Sequence, residues 1–150
     1  MIKVIRTDSA NQDFIELVKH LDADLAKRDG DDHLFYAELN KVATIKYVII
    51  AYEDGKPVGC GAIREHTPGT MEIKRMYTSP ESRGKGIATK VLNELEIWAA
   101  ELSCKKCVLE TGKRQPEAIG LYKKNAYKPI PNYGKYAPME NSVCFEKEIK

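Results

Sequence analysis

The chain has 150 residues, with 24 Lys and Arg against 22 Asp and Glu, a formal net charge of +2 and 43% hydrophobic residues. That length predicts one domain with one hydrophobic core. The near balance of charge disfavours a dedicated nucleic-acid binder, which presents a clear excess of basic side chains. No apolar run approaches the roughly 20 residues that cross a bilayer, and the first residues do not resemble a signal peptide. We therefore expect a cytoplasmic protein with no nucleic-acid or membrane partner.

Four cysteines are scattered through the chain: Cys60, Cys104, Cys107 and Cys144. They do not suit a disulfide-stapled secreted fold, so we expect reduced thiols. Cys104 and Cys107 have the spacing of redox and zinc sites, but a second such pair is missing and the three histidines are isolated in the sequence. We predict no metal site, with Cys107 opening a buried strand and Cys104 in the turn before it.

The first third of the chain predicts a strand followed by helices. Residues 2–6 alternate between apolar and charged side chains, which is typical of a short strand. Apolar residues then recur at helical spacing from Phe14 to Leu25, in a helix that should end near Asp29–Gly30. An acidic loop over 29–33 follows, and His33–Asn40 predicts a second short helix.

From residue 45 onward the pattern changes to strands and amphipathic helices. Residues 47–52 are β-branched and aromatic, and a turn at 53–56 predicts a hairpin with 57–64 as its second strand. The further predicted elements are a strand at 71–78, a helix at 86–102, a strand at 107–111, a helix at 116–125, and final strands from Tyr127 and over Ser142–Ile149. This order predicts an α/β domain with a mixed sheet.

The segment Arg83–Ala88 joins a predicted strand directly to the long helix. Glycines here let the backbone turn sharply and approach a bulky anion, while the first amides of a helix donate hydrogen bonds. The segment therefore predicts a pyrophosphate cradle, with a purely structural tight turn as the alternative. Its spacing matches neither GxxxxGK[ST] nor GxGxxG.

These residues resemble a known family. Arg83-x-x-Gly86-x-Ala88 is similar to the [QR]xxGx[GA] motif of the GNAT acetyltransferases, between the fourth strand and the third helix of that family. The flanking stretches 71–78, 108–111 and 116–122 are similar as well. The resemblance covers essentially the whole chain and implies one GNAT-like domain. Its fold would be a mixed, mostly antiparallel sheet of about six to seven strands flanked by about four helices.

The resemblance implies acetyl-CoA as cosubstrate. Backbone groups of Met76, Tyr77 and Thr78 would pair with the pantetheine arm, and Arg83 would close over the phosphates. The pyrophosphate would be bound by amides of Gly84, Lys85, Gly86, Ile87, Ala88 and Thr89. Lys85 and Lys90 either attract the phosphates or are ordinary solvated lysines.

Two departures from the family pattern lie around the last predicted helix. Gln115 stands where the family commonly has asparagine, and its amide can still bond to pantetheine. Asn125–Tyr127 replaces a frequent Gly-Phe pair. The turn there requires either a positive φ at Asn125 or another turn type.

Three residues are candidates for the proton transfers of acetyl transfer. Tyr122 resembles the family's general acid near the CoA sulfur, and Glu72 stands where some members carry a general base that works through a water. Strand alternation places Glu72, Lys74 and Met76 on one face and Ile73, Arg75 and Tyr77 on the other. An ion pair of Glu72 with Lys74 is an alternative. Glu110 either assists or pairs with Lys74 or Arg75, and an amide near Met76 is expected to polarise the thioester carbonyl.

The resemblance implies that the acyl acceptor lies between the first helices and the loop before the last strand. Acidic residues there suit a cationic amine, with a merely solvated turn as the alternative; they are Asp29, Asp31 and Asp32, beside His33 and opposite Asn132–Tyr136. A substrate with a carboxylate could instead use Arg64, Arg75 or Lys135.

The resulting hypothesis is an acetyl-CoA-dependent N-acetyltransferase that acts on the primary amine of a small molecule or peptide by direct attack in a ternary complex. A covalent intermediate is disfavoured because neither Cys60 nor Cys144 lies beside a histidine in the sequence. The alternative is a catalytically weak CoA-binding or sensing module. Self-association as a homodimer through the final strands is common in the family.

Overall fold

The computed structural model describes residues 1–29 and 45–149. The seven strands are β1 (Ile2–Thr7), β2 (Tyr47–Glu53), β3 (Lys56–Thr67), β4 (Thr70–Thr78), β5 (Lys106–Gly112), β6 (Lys128–Ile130) and β7 (Ser142–Glu148). The three α-helices of the described ranges are α1 (Gln12–Asp29), α2 (Ile87–Glu101) and α3 (Pro116–Lys124). The predicted helix at 33–40 lies outside these ranges.

The strands form one sheet in the order β1-β2-β3-β4-β5-β7-β6. Every pairing is antiparallel except that of β4 with β5, which is parallel. The hairpin between β2 and β3 turns through Asp54 and Gly55, both with positive φ, as a two-residue hairpin loop requires. The predicted mixed, mostly antiparallel sheet is therefore confirmed.

Helices cover both faces of the sheet, and we name the faces after them. On the α2 face, Leu92 and Leu95 are fully buried, and each such side chain contributes about 1.5–3 kcal/mol to folding. On the α1 face, Phe14 and Leu17 pack against the sheet. Residues 48–51 of β2 alternate between the two clusters. This burial on both sides explains the unbroken apolar run of that strand.

A β-bulge interrupts β4 near its middle. The register of β3 with β4 shifts here, so that Arg75 and Met76 together lie opposite Gly61. Arg75 adopts a left-handed φ of 59°, and its carbonyl accepts a hydrogen bond from the Cys60 thiol at 3.4 Å. A bulge of this kind adds one residue to one strand and bends it.

Because of the bulge, the side chains at the end of β4 lie on other faces of the sheet than predicted. Strict alternation predicts Met76 on the face of Glu72, and Arg75 and Tyr77 on the face of Ile73. Instead Met76 packs into the α2-face cluster and Tyr77 into the α1-face cluster, while Arg75 contacts α1. The prediction was wrong because the extra residue reverses the alternation beyond it.

Strands β4 and β5 diverge after a short parallel stretch. Their pairing joins Thr70–Glu72 to Lys106–Val108 and stops there. Beyond Glu72, no strand of the described ranges pairs with this edge of β4, whereas β5 continues beside β7 as far as Gly112. The divergence opens a cleft between the two strands.

Helix α3 ends in a left-handed turn that the sequence left open. Asn125 has a φ of −96°, and Ala126 carries the positive φ of 73°. The N–H of Tyr127 donates to the Tyr122 carbonyl at 3.0 Å, and the N–H of Ala126 donates to the Lys123 carbonyl at 3.2 Å. These two bonds form a Schellman motif. The turn therefore does not use a positive φ at Asn125 but the alternative, another turn type.

All four cysteines are free and buried. Burial raises the pKa of the Cys107 thiol to about 12, so the group behaves as a small apolar side chain at neutral pH. None of the helices in the described ranges is long and apolar enough to cross a membrane.

Candidate active site

The cleft between β4 and β5 has a volume of about 430 Å³. Its walls are β4, the loop 79–86, the first turn of α2, the end of β5 and α3, with residues of α1 at the rim. The predicted site residues that line it are Glu72, Met76, Tyr77, Thr78, Arg83, Gly84, Gly86, Ile87, Ala88, Thr89, Gln115 and Tyr122. The structure therefore brings together residues that are up to 50 positions apart in the sequence.

The cradle at the start of α2 is built from backbone. Gly84 and Gly86 have φ values of 83° and 79°, which other residues adopt only with strain. The first intrahelical bond runs from the Lys90 N–H to the Gly86 carbonyl at 3.1 Å, so the preceding amides have no acceptor within the helix. The first turn carries no acidic side chain. Donors and dipole therefore favour an anion at this end of the cleft.

The basic residues around the cradle make contacts of their own. Arg83 donates from Nε to the Thr78 carbonyl at 3.1 Å. Lys85 donates to both carboxylate oxygens of Glu53 at 3.1 Å, and its side chain does not line the cleft. Lys90 is exposed. Of the three, Arg83 is the one that the fold places in the cleft wall.

Two glycines of β3 allow the close approach of β4 and α2, and sequence reasoning missed both. A Cβ atom on Gly59 would lie 2.9 Å from Ile87 Cγ2 and 3.1 Å from the Tyr77 carbonyl. A Cβ on Gly61 would lie 2.5 Å from the Met76 sulfur. The available signal was their alternation in β3, which places both on the face against α2.

Tyr122 lies on α3 at the inner end of the cleft and is only 5% exposed. Its ring packs against those of Tyr127 and Phe145, at centroid distances of 5.8 and 6.2 Å. Burial raises the pKa of Tyr122 above that of an ordinary phenol, and the charge of Glu110 raises it further. The phenol is therefore protonated at neutral pH and can act as a proton donor.

Glu72 is 2% exposed and lies on the α1 face of β4. Its Oε1 accepts a hydrogen bond from Arg64 Nε at 3.0 Å, and its Oε2 accepts one from the Tyr133 hydroxyl at 2.8 Å. Arg64 is directly opposite Glu72 in the β3–β4 register. The ion pair at Glu72 is therefore formed with Arg64, a partner that the sequence analysis did not consider.

Lys74 is nearly buried beside the loop before β7. Its Nζ donates to the Tyr136 hydroxyl at 3.2 Å. Burial lowers the pKa of Lys74, against the opposing effect of Glu72 and Glu110. Burial also raises the pKa of Tyr136. The loop before β7, which was predicted to form one wall of the acceptor site, thus contacts β4 through both Tyr133 and Tyr136.

Glu110 lies on β5, across the cleft from β4. Its Oε2 accepts a hydrogen bond from the Ser142 hydroxyl at 2.8 Å. Ser142 opens β7, and Asn132 donates from Nδ2 to the Ser142 carbonyl at 3.0 Å. These contacts connect Glu110 to the loop before β7.

The acidic side of the predicted acceptor site is not covered by the structure. Asp31, Asp32 and His33 lie outside the described residues, as does the side chain of Asp29. Within the described residues, α1 instead contributes Asp22, which binds Arg75 at 2.7 Å.

Comparisons with known proteins agree with this architecture. The profile of the "Acetyltransferase (GNAT) family" matches residues 11–127. A protein of Azospirillum brasilense named "IAA acetyltransferase" is 30% identical over 156 residues, covering 99% of this chain and 98% of the relative. A solved structure from Klebsiella pneumoniae, described as a candidate acyl-CoA N-acyltransferase, is 30% identical, with a TM-score of 0.84 over 100% of this chain and 99% of the other.

A third protein shares the fold at lower identity. A GNAT family acetyltransferase of Elizabethkingia anophelis, solved with acetyl-CoA bound, is 16% identical, with a TM-score of 0.69 over 98% of this chain and 97% of the other. The family profile covers more than half of this chain. We conclude that the chain belongs to the acetyltransferase (GNAT) family and is an acyltransferase.

Proposed function

We propose that this protein transfers the acetyl group of acetyl-CoA to the primary amine of a small molecule or peptide, by direct attack in a ternary complex. One observation carries this proposal. Beyond Glu72, the edge of β4 that faces the cleft pairs with no strand of the described ranges, and the chain continues from β4 through a short 3-10 helix at Pro80–Ser82 into the glycine turn and the start of α2. A ligand with amides at one end and a pyrophosphate at the other would find hydrogen-bonding partners in the same order, first along the strand edge and then at the start of the helix.

The cofactor would bind chiefly to backbone. The two amides of pantetheine would pair with the open edge at Met76–Thr78, as an added strand does. The pyrophosphate would accept hydrogen bonds from amides between Gly84 and Thr89, with Arg83 closing over it, and Gln115 would reach the pantetheine arm from α3. The acetyl-CoA bound to the Elizabethkingia anophelis neighbour, which shares the fold, supports this assignment.

The chemical step would form one bond and break another. The neutral amine attacks the thioester carbonyl carbon, the new C–N bond forms, and the C–S bond breaks. An amide near Met76 would stabilise the developing oxyanion. Tyr122 would donate a proton to the departing thiolate, a role that its buried, protonated phenol suits.

Glu72 would receive the proton that the amine loses, directly or through a water. Its bonds to Arg64 and Tyr133 fix its position, and each carboxylate oxygen keeps a second lone pair for this proton. The same bonds occupy one lone pair on each carboxylate oxygen, which leaves fewer directions from which the proton can be accepted. We therefore expect a smaller contribution from Glu72 than from Tyr122.

A pair of variants at Gly86 tests the cofactor site. Both Gly86→Ala and Gly86→Glu add a Cβ at the same positive φ, but only glutamate brings bulk and negative charge to the phosphates. We expect Gly86→Glu to weaken CoA binding by at least about 100-fold in calorimetry, since it sets a charge against the anion at short range. Gly86→Ala, the control for backbone strain, should retain most of the affinity.

The same samples separate an enzyme from a binding module. Wild-type protein should release CoA from acetyl-CoA when a panel of primary amines is added. Binding of CoA without turnover of any amine would favour the sensing module, and equal CoA affinity of Gly86→Glu and Gly86→Ala would mean that the loop is structural.

A further inference from the structure

The β4 bulge places two cationic side chains next to each other on the α1 face. Lys74 lies opposite Ala62, a member of the α1-face cluster, so Lys74 is on that face. Arg75 contacts Asp22 of α1, so it is on that face as well. In a regular strand two consecutive residues point to opposite faces. The left-handed conformation of Arg75 is what removes this separation.

Arg75 occupies an unusual environment for an arginine. It carries a positive φ without being glycine, which is a strained conformation that tends to occur at functional sites. Its side chain is only 11% exposed, and it lines the cleft. The carboxylate of Asp22, which it binds at 2.7 Å, is 53% exposed. A carboxylate of α1 therefore already binds this guanidinium from the solvent side.

The position of Arg75 relates it to the reacting centre. It directly precedes Met76, whose amide we place at the thioester carbonyl. A group held by Arg75 would thus lie close to the attacking amine. A guanidinium binds a carboxylate through two parallel hydrogen bonds, with better geometry than a lysine ammonium provides.

The charges of the cleft wall favour an acceptor with both signs of charge. On the acceptor side of the cleft, Lys74 and Arg75 provide positive charge, and Asp24, Glu72 and Glu110 provide negative charge; Arg83, Glu117 and Lys124 line the cofactor side. A polyamine carries only positive charge, so Lys74 and Arg75 would repel it beside the point of attack. An amine that carries its own carboxylate would meet a complementary group at each end.

We propose that the acceptor is an amino carboxylate, meaning a free amino acid or a very short peptide that carries its own C-terminal carboxylate, and that Arg75 binds this carboxylate in the place now taken by Asp22. Lys74 adds positive charge beside it. This inference rests on the proposed acetyl transfer, and it names the substrate class of the same cleft.

Matched acceptors test the proposal. Release of CoA from acetyl-CoA is measured with the common amino acids, with their C-terminal amides and with the corresponding amines that lack the carboxylate. We expect at least one amino acid to exceed its amide and its amine in kcat/KM by roughly 10- to 100-fold, the range of one charge-assisted hydrogen-bonded contact.

Two variants assign the preference to Arg75. Arg75→Gln keeps a long polar side chain at the strained position, and it should lower the acid-to-amide ratio of kcat/KM by at least about tenfold. Asp22→Asn breaks the same ion pair from the other side but leaves the guanidinium in place, so it should keep or raise that ratio. Calorimetry with CoA on both variants checks that the cofactor site is intact.

The other possible results distinguish an error in the substrate class from an error in the role of Arg75 and from an error in the proposed function. Amides or simple amines that react as well as the acids overturn the substrate class and leave the acetyl transfer standing. An acid preference that survives in Arg75→Gln, or is lost equally in Asp22→Asn, overturns the role of Arg75. Failure of every amine, with or without a carboxylate, to release CoA contradicts the proposed function itself.

Discussion

The two halves of the cleft are built by different means. The half that we propose for the cofactor comprises the edge of β4 from Ile73 to Thr78, with which no strand of the described ranges pairs, the loop 79–86 and the first turn of α2, and it presents mainly backbone donors. The acceptor half comprises the α1 face of β3 and β4 with Tyr133 and Tyr136. It presents side chains held in ion pairs and hydrogen bonds.

This difference explains what each half can recognise. Backbone amides at fixed glycine turns suit a ligand that is always the same, such as a pyrophosphate. Side-chain networks change with single substitutions, so they suit a substrate that differs between relatives. One cleft can therefore combine a fixed site for the cofactor with a site for the acceptor whose specificity changes with single substitutions.

Tyr122 lies where the two halves meet, and its replacement should have the largest effect among the side-chain substitutions considered next. We expect Tyr122→Phe to lower kcat by about 100-fold, or about 2.7 kcal/mol, because the thiolate loses its proton donor. Since burial keeps the pKa of Tyr122 above that of an ordinary phenol, this deficit should not change between pH 7 and pH 9.

Tyr127→Phe is the matched control for Tyr122→Phe. Tyr127 packs against Tyr122 but donates to Glu96 of α2 at 2.9 Å, and neither Tyr127 nor Glu96 lines the cleft. Its loss should lower the melting temperature with little change in kcat. Equal kcat values for Tyr122→Phe and wild type would remove Tyr122 from the mechanism.

Glu72 belongs to the acceptor half, and its replacement should have a smaller effect. We expect Glu72→Gln to lower kcat by about tenfold near neutral pH, below the usual range for a general base, because hydrogen bonds from Arg64 and Tyr133 already occupy one lone pair on each carboxylate oxygen. The deficit should shrink as pH approaches the pKa of the acceptor amine, since a neutral amine needs no base before attack. A pH profile of kcat measures this, and a deficit that is constant with pH would indicate a positioning role through Arg64 and Tyr133.

Ala126 lies outside both halves but ends the helix that carries Tyr122. Replacement by glycine removes the steric cost of its positive φ, partly offset by the greater freedom of glycine in the unfolded chain. We expect Ala126→Gly to raise the free energy of unfolding by about 0.5–1 kcal/mol, as measured by urea denaturation, with kcat unchanged. A lower stability would show that the Schellman geometry at this helix end is not the one described.

The two halves also differ in how far the sequence predicts them. Spacing and turn chemistry are local, so the sequence predicts the turn at Gly84 and Gly86 and the start of α2. The partners of Glu72 come from 8 and 61 residues away, and no local pattern reports such contacts. The bulge was missed for a related reason, since an arginine gives no sign that it will adopt a positive φ. The close contacts at Gly59 and Gly61 likewise depend on a helix that follows later in the chain.

Amide hydrogen exchange with and without CoA tests the central claim most directly, namely that the cofactor binds along the open edge of β4 and at the start of α2. Saturating CoA should slow exchange in peptides that cover 73–78 and 84–89, and it should leave β1 and β2 unchanged. Binding of CoA in calorimetry with no slowing in those two segments would contradict the account.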